Sequence, residues 1–319
     1  NRLLKNVMNS TFAEALASGD PAVVAKYPKT DLHNHSMLGC RREDVEAFFG
    51  KPLKPFIYKG NGIHDVNRWI TEVYAPVFRN PAAFRTALEA TFRQAKSDGV
   101  SILEMSIDAG FGHLFGIPPK EIVATLKSVH HETAPEIDFR PELGFARPVT
   151  AGRLMEWFME YLDLGYFRAI DLYDDESGQP LENLVEIYRI AKRAGLKCKA
   201  HAGEFGTPES VRETVEVLGL DAVQHGIAAA RSKEVMAWLA ERGIPLNICP
   251  TSNVIMQNAP SMAEHPIRVL YDHGVKVTVN SDDVILFGQS VSQEFLNLYR
   301  SGCLSADALE EIRLNGLSA

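Results

Sequence analysis

Lys197-Cys198-Lys199-Ala200-His201-Ala202-Gly203-Glu204 reads as a half-apolar strand that runs into a histidine, with a glutamate three positions later and the turn Phe205-Gly206-Thr207-Pro208 beyond it. An imidazole and a carboxylate therefore stand together at one strand's C-terminal end. Three other strand-like runs also finish in polar groups: Thr30 to His35, Ala222 to His225, and Val275 to Asp283. Four strands that deliver ligand-type side chains at the same end predict one metal site.

Working outward from that stretch, strands and helices alternate. Pro28 opens the first strand, and residues 1–27 read as a peripheral helix with Phe12, Ala15 and Leu16 on its apolar stripe. A short helix over 42–49 stops at Gly50. Residues 51–80 fit no regular unit and are rich in aromatics, so they read as an excursion after strand one; a lid over a pocket and a satellite core under a long loop both fit. From Pro81, suited to a first helical position, to Gly99, suited to a stop, the period is helical. Strands follow at 100–107, 138–145, 167–172, 197–202, 221–225, 244–248 and 275–280, with helices between them. Eight strand–helix pairs without a long linker predict a single-domain (β/α)₈ TIM barrel, whose chemistry sits at the strands' C-terminal ends; a doubly wound sheet gives a similar alternation.

His33 and His35 stand at i and i+2, which on a strand turns both side chains to one face. Two imidazoles turned into a barrel need something to satisfy their nitrogens. A divalent metal does so, and zinc suits N/O ligands that leave one position for water. His201 and Asp282 complete the expected ligand set of one Zn²⁺ per chain. Glu204 is placed to trade protons with water and substrate, His225 to stabilise the oxygen that becomes negative, and Asp283 to face the substrate. Turn capping is the competing role for either aspartate of the Asp282-Asp283 pair.

The runs Pro28-Lys29-Thr30-Asp31-Leu32-His33-Asn34-His35, His201-Ala202-Gly203-Glu204, Gln224-His225-Gly226, Cys249-Pro250-Thr251-Ser252-Asn253, His265-Pro266-Ile267 and Asn280-Ser281-Asp282-Asp283 together resemble the ordered signature of the adenosine and AMP deaminase family. The resemblance implies a barrel with one zinc on His33, His35, His201 and Asp282. It also implies Glu204 as proton shuttle to N1 of a 6-aminopurine, His225 orienting the attacking hydroxide, Asp283 contacting N7, and Gly203 among the substrate contacts. Two departures bear on the substrate. Where family nucleoside deaminases carry Leu-Asp-Gly, this chain has Ser36-Met37-Leu38, and the family's Asp-Leu-x-Gly-x-Glu appears as Asp171 to Glu176 with Asp174 at the Gly position. Met37 is therefore expected to meet a 5′-modified or absent ribose group, and Asp174 a sugar hydroxyl. Adenosine or a 5′- or N6-modified adenosine is the expected substrate; adenine or AMP is the alternative, the latter using Arg41 and Arg42.

Two further readings compete. A binuclear hydrolase needs a bridging Lys or Glu from strand four, and Phe167 to Leu172 ends without a Lys. A silent nucleoside-binding barrel would not need Glu204 and His225. The net charge of −8 argues against a nucleic-acid partner. Four cysteines without a C-x-x-C and no membrane-length apolar run lead to a cytoplasmic expectation, with no membrane partner and the oligomeric state open.

Overall fold

In the computed structural model, residues 11–318 are described, so the first ten residues of the expected peripheral helix lie outside the described residues. Eight parallel strands follow one another around the sheet in chain order: β1 (Lys29–Asp31), β2 (Val100–Asp108), β3 (Asp138–Ala146), β4 (Ala169–Tyr173), β5 (Lys197–Ala202), β6 (Ala222–His225), β7 (Leu246–Ile248) and β8 (Val277–Val279). The expected (β/α)₈ barrel is the observed one. Helices such as Pro81–Ser97, Pro119–Thr133, Pro208–Leu218 and Lys233–Arg242 pack outside it, and their apolar faces supply Phe84, Leu88, Leu126, Val211 and Leu239 to the core.

The seam between β8 and β1 is closed differently from the rest. A single parallel bridge joins Asn34 to Asp282, and the Asp282 N–H donates to the His33 carbonyl at 3.0 Å. Below that bridge side chains replace the ladder. The Leu32 N–H donates to Asn280 Oδ1 at 2.8 Å, and the Leu32 carbonyl accepts from Asn247 Nδ2 at 3.3 Å and Gln224 Nε2 at 3.4 Å. Buried polar groups that are mutually paired hold a unique geometry. Here they hold the segment that carries the first two histidines.

A charged layer lies beneath the mouth. Lys199 of β5 is buried and ion-paired with Glu104 of β2 and Glu142 of β3, which keep it an ammonium by raising its pKa against the effect of burial. Such a lysine cannot serve as a carboxylated metal bridge. The binuclear arrangement therefore finds no bridging group there.

The 51–80 stretch differs from its sequence reading. It contains a helix, Ile63–Trp69, running directly into a π-helical turn, Ile70–Tyr74. A π turn inserts a residue into the helical repeat, so the apolar positions lose their 3.6-residue period and no helix is visible in the pattern.

Glu294, on the helix Val291–Arg300, is buried and accepts from the Thr251 N–H at 3.1 Å and its hydroxyl at 2.8 Å. Burial pushes its carboxyl up to about 8. The folded chain then keeps a proton that the unfolded chain releases above its ordinary value near 4.5, so stability falls as pH rises through that interval and levels off above about 8. A Glu294→Gln chain lacks this loss. Thermal melts should show its Tm advantage over the parent growing from pH 5 to pH 8; an advantage independent of pH would contradict the assignment.

Candidate active site

The expected ligands meet at the barrel mouth. His33 Nε2 and His35 Nε2 lie 3.3 Å apart, and Asp282 Oδ1 is 3.8 Å from the first and 3.6 Å from the second. The His201 ring centroid is 4.7 Å from that of His33 and 5.2 Å from that of His35. Metal bonds of ~2.0–2.2 Å in tetrahedral geometry place ligand atoms ~3.3–3.6 Å apart, which is close to this spacing.

The donor chemistry also fits. His33 Nδ1 is bonded to the Asn247 carbonyl at 3.2 Å and His201 Nδ1 to the Leu172 carbonyl at 3.0 Å. A carbonyl only accepts, so each ring carries its proton on Nδ1 and presents a bare Nε2 lone pair, the state of a metal ligand. Burial first, and neighbouring imidazoles next, hold His33 well below the usual imidazole range and His35 at about 3. A proton therefore does not bridge the two rings, and a divalent cation is the group that satisfies them.

Glu204 sits on a turn that another carboxylate organises. Glu176 accepts the N–H groups of Gly203 at 2.7 Å, Glu204 at 2.9 Å and Phe205 at 2.8 Å. Sequence reasoning quoted Glu176 without giving it this task; three consecutive amides gathered by one side chain cannot be read from spacing. Gly203 thus stands behind the cavity wall with its N–H occupied, and its φ of +67° and a Cβ position 2.3 Å from Val211 Cγ2 require glycine there. Burial, followed by the Asp282 charge, raises the Glu204 carboxyl well above its ordinary range. At neutral pH it carries a proton. Its Oε2 is 3.5 Å from His225 Nε2.

Asp283 is not on a strand, as the sequence reading placed it. It occupies the position before the short helix Val284–Phe287 but makes no side-chain cap bond, so the turn-capping role is not observed. It lines the cavity, one carboxyl oxygen is buried without a hydrogen-bond partner, and burial together with Asp282 raises its pKa well above normal. Five non-glycine residues among those described have positive φ, and four of them, Ser36, Asp174, His225 and Asp282, line this cavity. Left-handed backbone costs about 1–3 kcal/mol per residue, and its concentration here marks the region the rest of the fold holds in place.

The cavity has a volume of about 250 Å³. The metal-ligand histidines and Glu204 form its floor; Ile63, Val66, Asn67 and Ile70 of the 51–80 excursion form its roof. Met37, buried in the 3₁₀ turn Ser36–Leu38, is on the wall, and its carbonyl accepts from Tyr74 at 2.9 Å. Asp174 is on the wall too, but its Oδ1 accepts from Asn67 Nδ2 at 2.8 Å and so joins the roof to β4. Tyr173 and Asp108, which the sequence reading did not single out, form a hydrogen-bonded pair at the same rim. An Asn67→Ala chain should show a roughly 10-fold higher KM with a smaller change in kcat, because a hydrogen bond to a charged group is worth ~1.5–3 kcal/mol; equal KM values would separate this contact from roof placement.

The adenosine deaminase family model matches residues 51–319 of the 319 in the chain. The chain belongs to the adenosine deaminase family. Its first two candidate ligands precede the matched range. A Treponema pallidum protein named as a candidate adenosine/adenine deaminase is 31% identical over 289 residues, covering 90% of this chain and 97% of that one. An adenosine deaminase of Clostridium kluyveri is 28% identical over 92% of this chain and 89% of its own length. Among solved structures, the adenine deaminase of Arthrobacter aurescens superposes with a TM-score of 0.81 at 23% identity, over 91% of this chain and 93% of its own. An amidohydrolase of Burkholderia ambifaria with bound Zn gives 0.80 at 24%, over 94% and 87%. As an adenosine deaminase family member, this chain is a hydrolase of C–N bonds, with hydrolytic purine deamination as the family's reaction. No helix among the described residues is long and apolar enough to cross a membrane.

Proposed function

We propose that the chain deaminates an uncharged 6-aminopurine, adenosine or a 5′- or N6-modified adenosine with adenine as the nearest alternative, using one zinc held by His33, His35, His201 and Asp282. The observation that carries the choice of an uncharged substrate is the charge of the cavity. Its wall holds Asp108, Asp174, Glu204, Asp282 and Asp283, and among the described residues no Lys or Arg lines it. A 5′-phosphate would meet carboxylates without a cation to receive it, and like-charge contact costs several kcal/mol. Arg41 points elsewhere, its Nε bonded to Gln94 Oε1 at 2.5 Å, and Arg42 is not on the wall.

Zinc at this site supplies a Lewis acid that makes water a nucleophile near neutral pH. The protonated Glu204 donates to ring nitrogen N1 as water adds at C6, and the carboxylate so formed can take the water's proton and pass it to the leaving amine. His225 Nε2, 3.5 Å from Glu204 Oε2, stands where the incoming oxygen gains charge. Asp283 offers its protonated carboxyl to N7, which is an acceptor only. Met37 supports the reading of an altered or absent 5′ group, and Asp174 retains one oxygen for a sugar hydroxyl while the other holds Asn67. Steady-state assays with adenine, adenosine, a 5′-modified adenosine and AMP test the proposal. AMP should have a kcat/KM at least ~100-fold below the best uncharged substrate; AMP equal to it would overturn the charge argument, and adenosine no slower than every 5′-altered analogue would remove the role given to Met37.

A further inference from the structure

We propose that Asn253 and His265 are positioning residues that lock His225 in the tautomer with its proton on Nε2, so that this ring enters the site as a hydrogen-bond donor and not as a fourth histidine ligand. The inference rests on the zinc site proposed above and assigns a task to two sequence runs, Cys249 to Asn253 and His265 to Ile267, that otherwise have none. The order of protons is set from a backbone amide. The Ile267 N–H donates to His265 Nδ1 at 3.1 Å, so that nitrogen is unprotonated. His265 is buried, and burial holds its pKa at about 3, which leaves a neutral ring with its one proton on Nε2. That nitrogen lies 3.3 Å from Asn253 Oδ1.

The amide of Asn253 is thereby oriented. Its oxygen accepts from His265, so its NH₂ faces His225 Nδ1 at 3.1 Å. An amide nitrogen only donates, hence His225 Nδ1 is the acceptor and the neutral ring carries its proton on Nε2. The reverse amide orientation would set the His265 Nδ1 proton against the Ile267 N–H. Asn253 is itself fixed: its side chain is fully buried and its carbonyl accepts from the N–H groups of Asn258 at 2.8 Å and Ala259 at 3.0 Å.

The result is opposite protonation on adjacent rings. His33 and His201 keep Nδ1 protonated against carbonyls and show Nε2 lone pairs, whereas His225, its ring centroid 4.6 Å from that of His33, shows an Nε2–H. A lone pair at that position would compete for the cation. An N–H there can instead stabilise the oxygen that becomes negative during water addition.

Nitrogen NMR of the full chain labelled with ¹⁵N-histidine, zinc-free and zinc-loaded, tests the assignment, with His225 identified from the spectrum of His225→Gln. His225 should show an unprotonated, hydrogen-bonded Nδ1 and a protonated Nε2 in both forms; a bare or metal-bound Nε2 in either form overturns the proposal, and this measurement needs no other variant to fold. Asn253→Asp offers acceptors to both rings and should move the His225 proton to Nδ1, with kcat lower by on the order of 100-fold or more and KM within about threefold, the pattern of a wrong tautomer. His265→Gln, whose amide can still donate to Asn253, should keep the His225 signature and at least about a tenth of kcat, while His265→Phe should lose both. An Asn253→Asp chain that loses activity with the His225 signature unchanged would show a merely structural role and overturn the proposal. Failure of zinc to bind would instead count against the metal site, since the zinc-free spectrum reports the tautomer independently.

Discussion

A Glu204→Gln chain should turn over its best purine substrate ~10²–10⁴ times more slowly than the parent, the range for losing a positioned general acid–base group. Gln matches the shape of the neutral carboxylic acid that burial favours at this position, but its amide cannot surrender a proton to N1 and recover one from water. The turn should survive the change, because Glu176 holds the amides of residues 203–205 through the backbone. Tm and zinc content should therefore stay near the parent's. Initial rates on the uncharged substrates, read beside a thermal melt and metal analysis, separate the outcomes: full activity would remove Glu204 from the proton path, and a collapsed Tm would make it a structural residue.

Chelation should abolish activity and lower Tm by roughly 5–15 °C, both restored on adding back one equivalent of zinc. A ligand bound only by the folded chain stabilises it by ~2.7–4.1 kcal/mol at 100–1,000 times its Kd, and each kcal/mol moves Tm by ~2–4 °C in a chain of this size class. The effect should be large because the His33 and His35 nitrogens, 3.3 Å apart, face one another with no proton held between them when the cation is gone. Calorimetric titration of the metal-free chain should give a stoichiometry of one. Two equivalents bound with similar affinity would favour the binuclear reading, although the Glu104–Lys199–Glu142 cluster gives no bridging ligand for it.

The alternation of strand and helix, the barrel it forms, and the identity of the four candidate ligands were legible in the chain because each depends on local order. Strand ends carry His33, His35, His201 and Asp282 whatever surrounds them, and Pro81 and Gly99 bound a helix by their own backbone preferences. The Ile63–Trp69 helix was hidden because its π continuation breaks the period that would reveal it. What only the tertiary structure decided is which groups are paired. Asp174 meets Asn67 from 107 residues away, Glu176 gathers the amides of residues 203–205, and the Asn253 amide takes its orientation from His265 and passes it to His225. Hydrogen-bond direction depends on both partners and on the exclusion of water. Neither is a property of any segment alone, so the charge of the pocket and the protonation of its rings emerge only when distant parts of the chain close on one another.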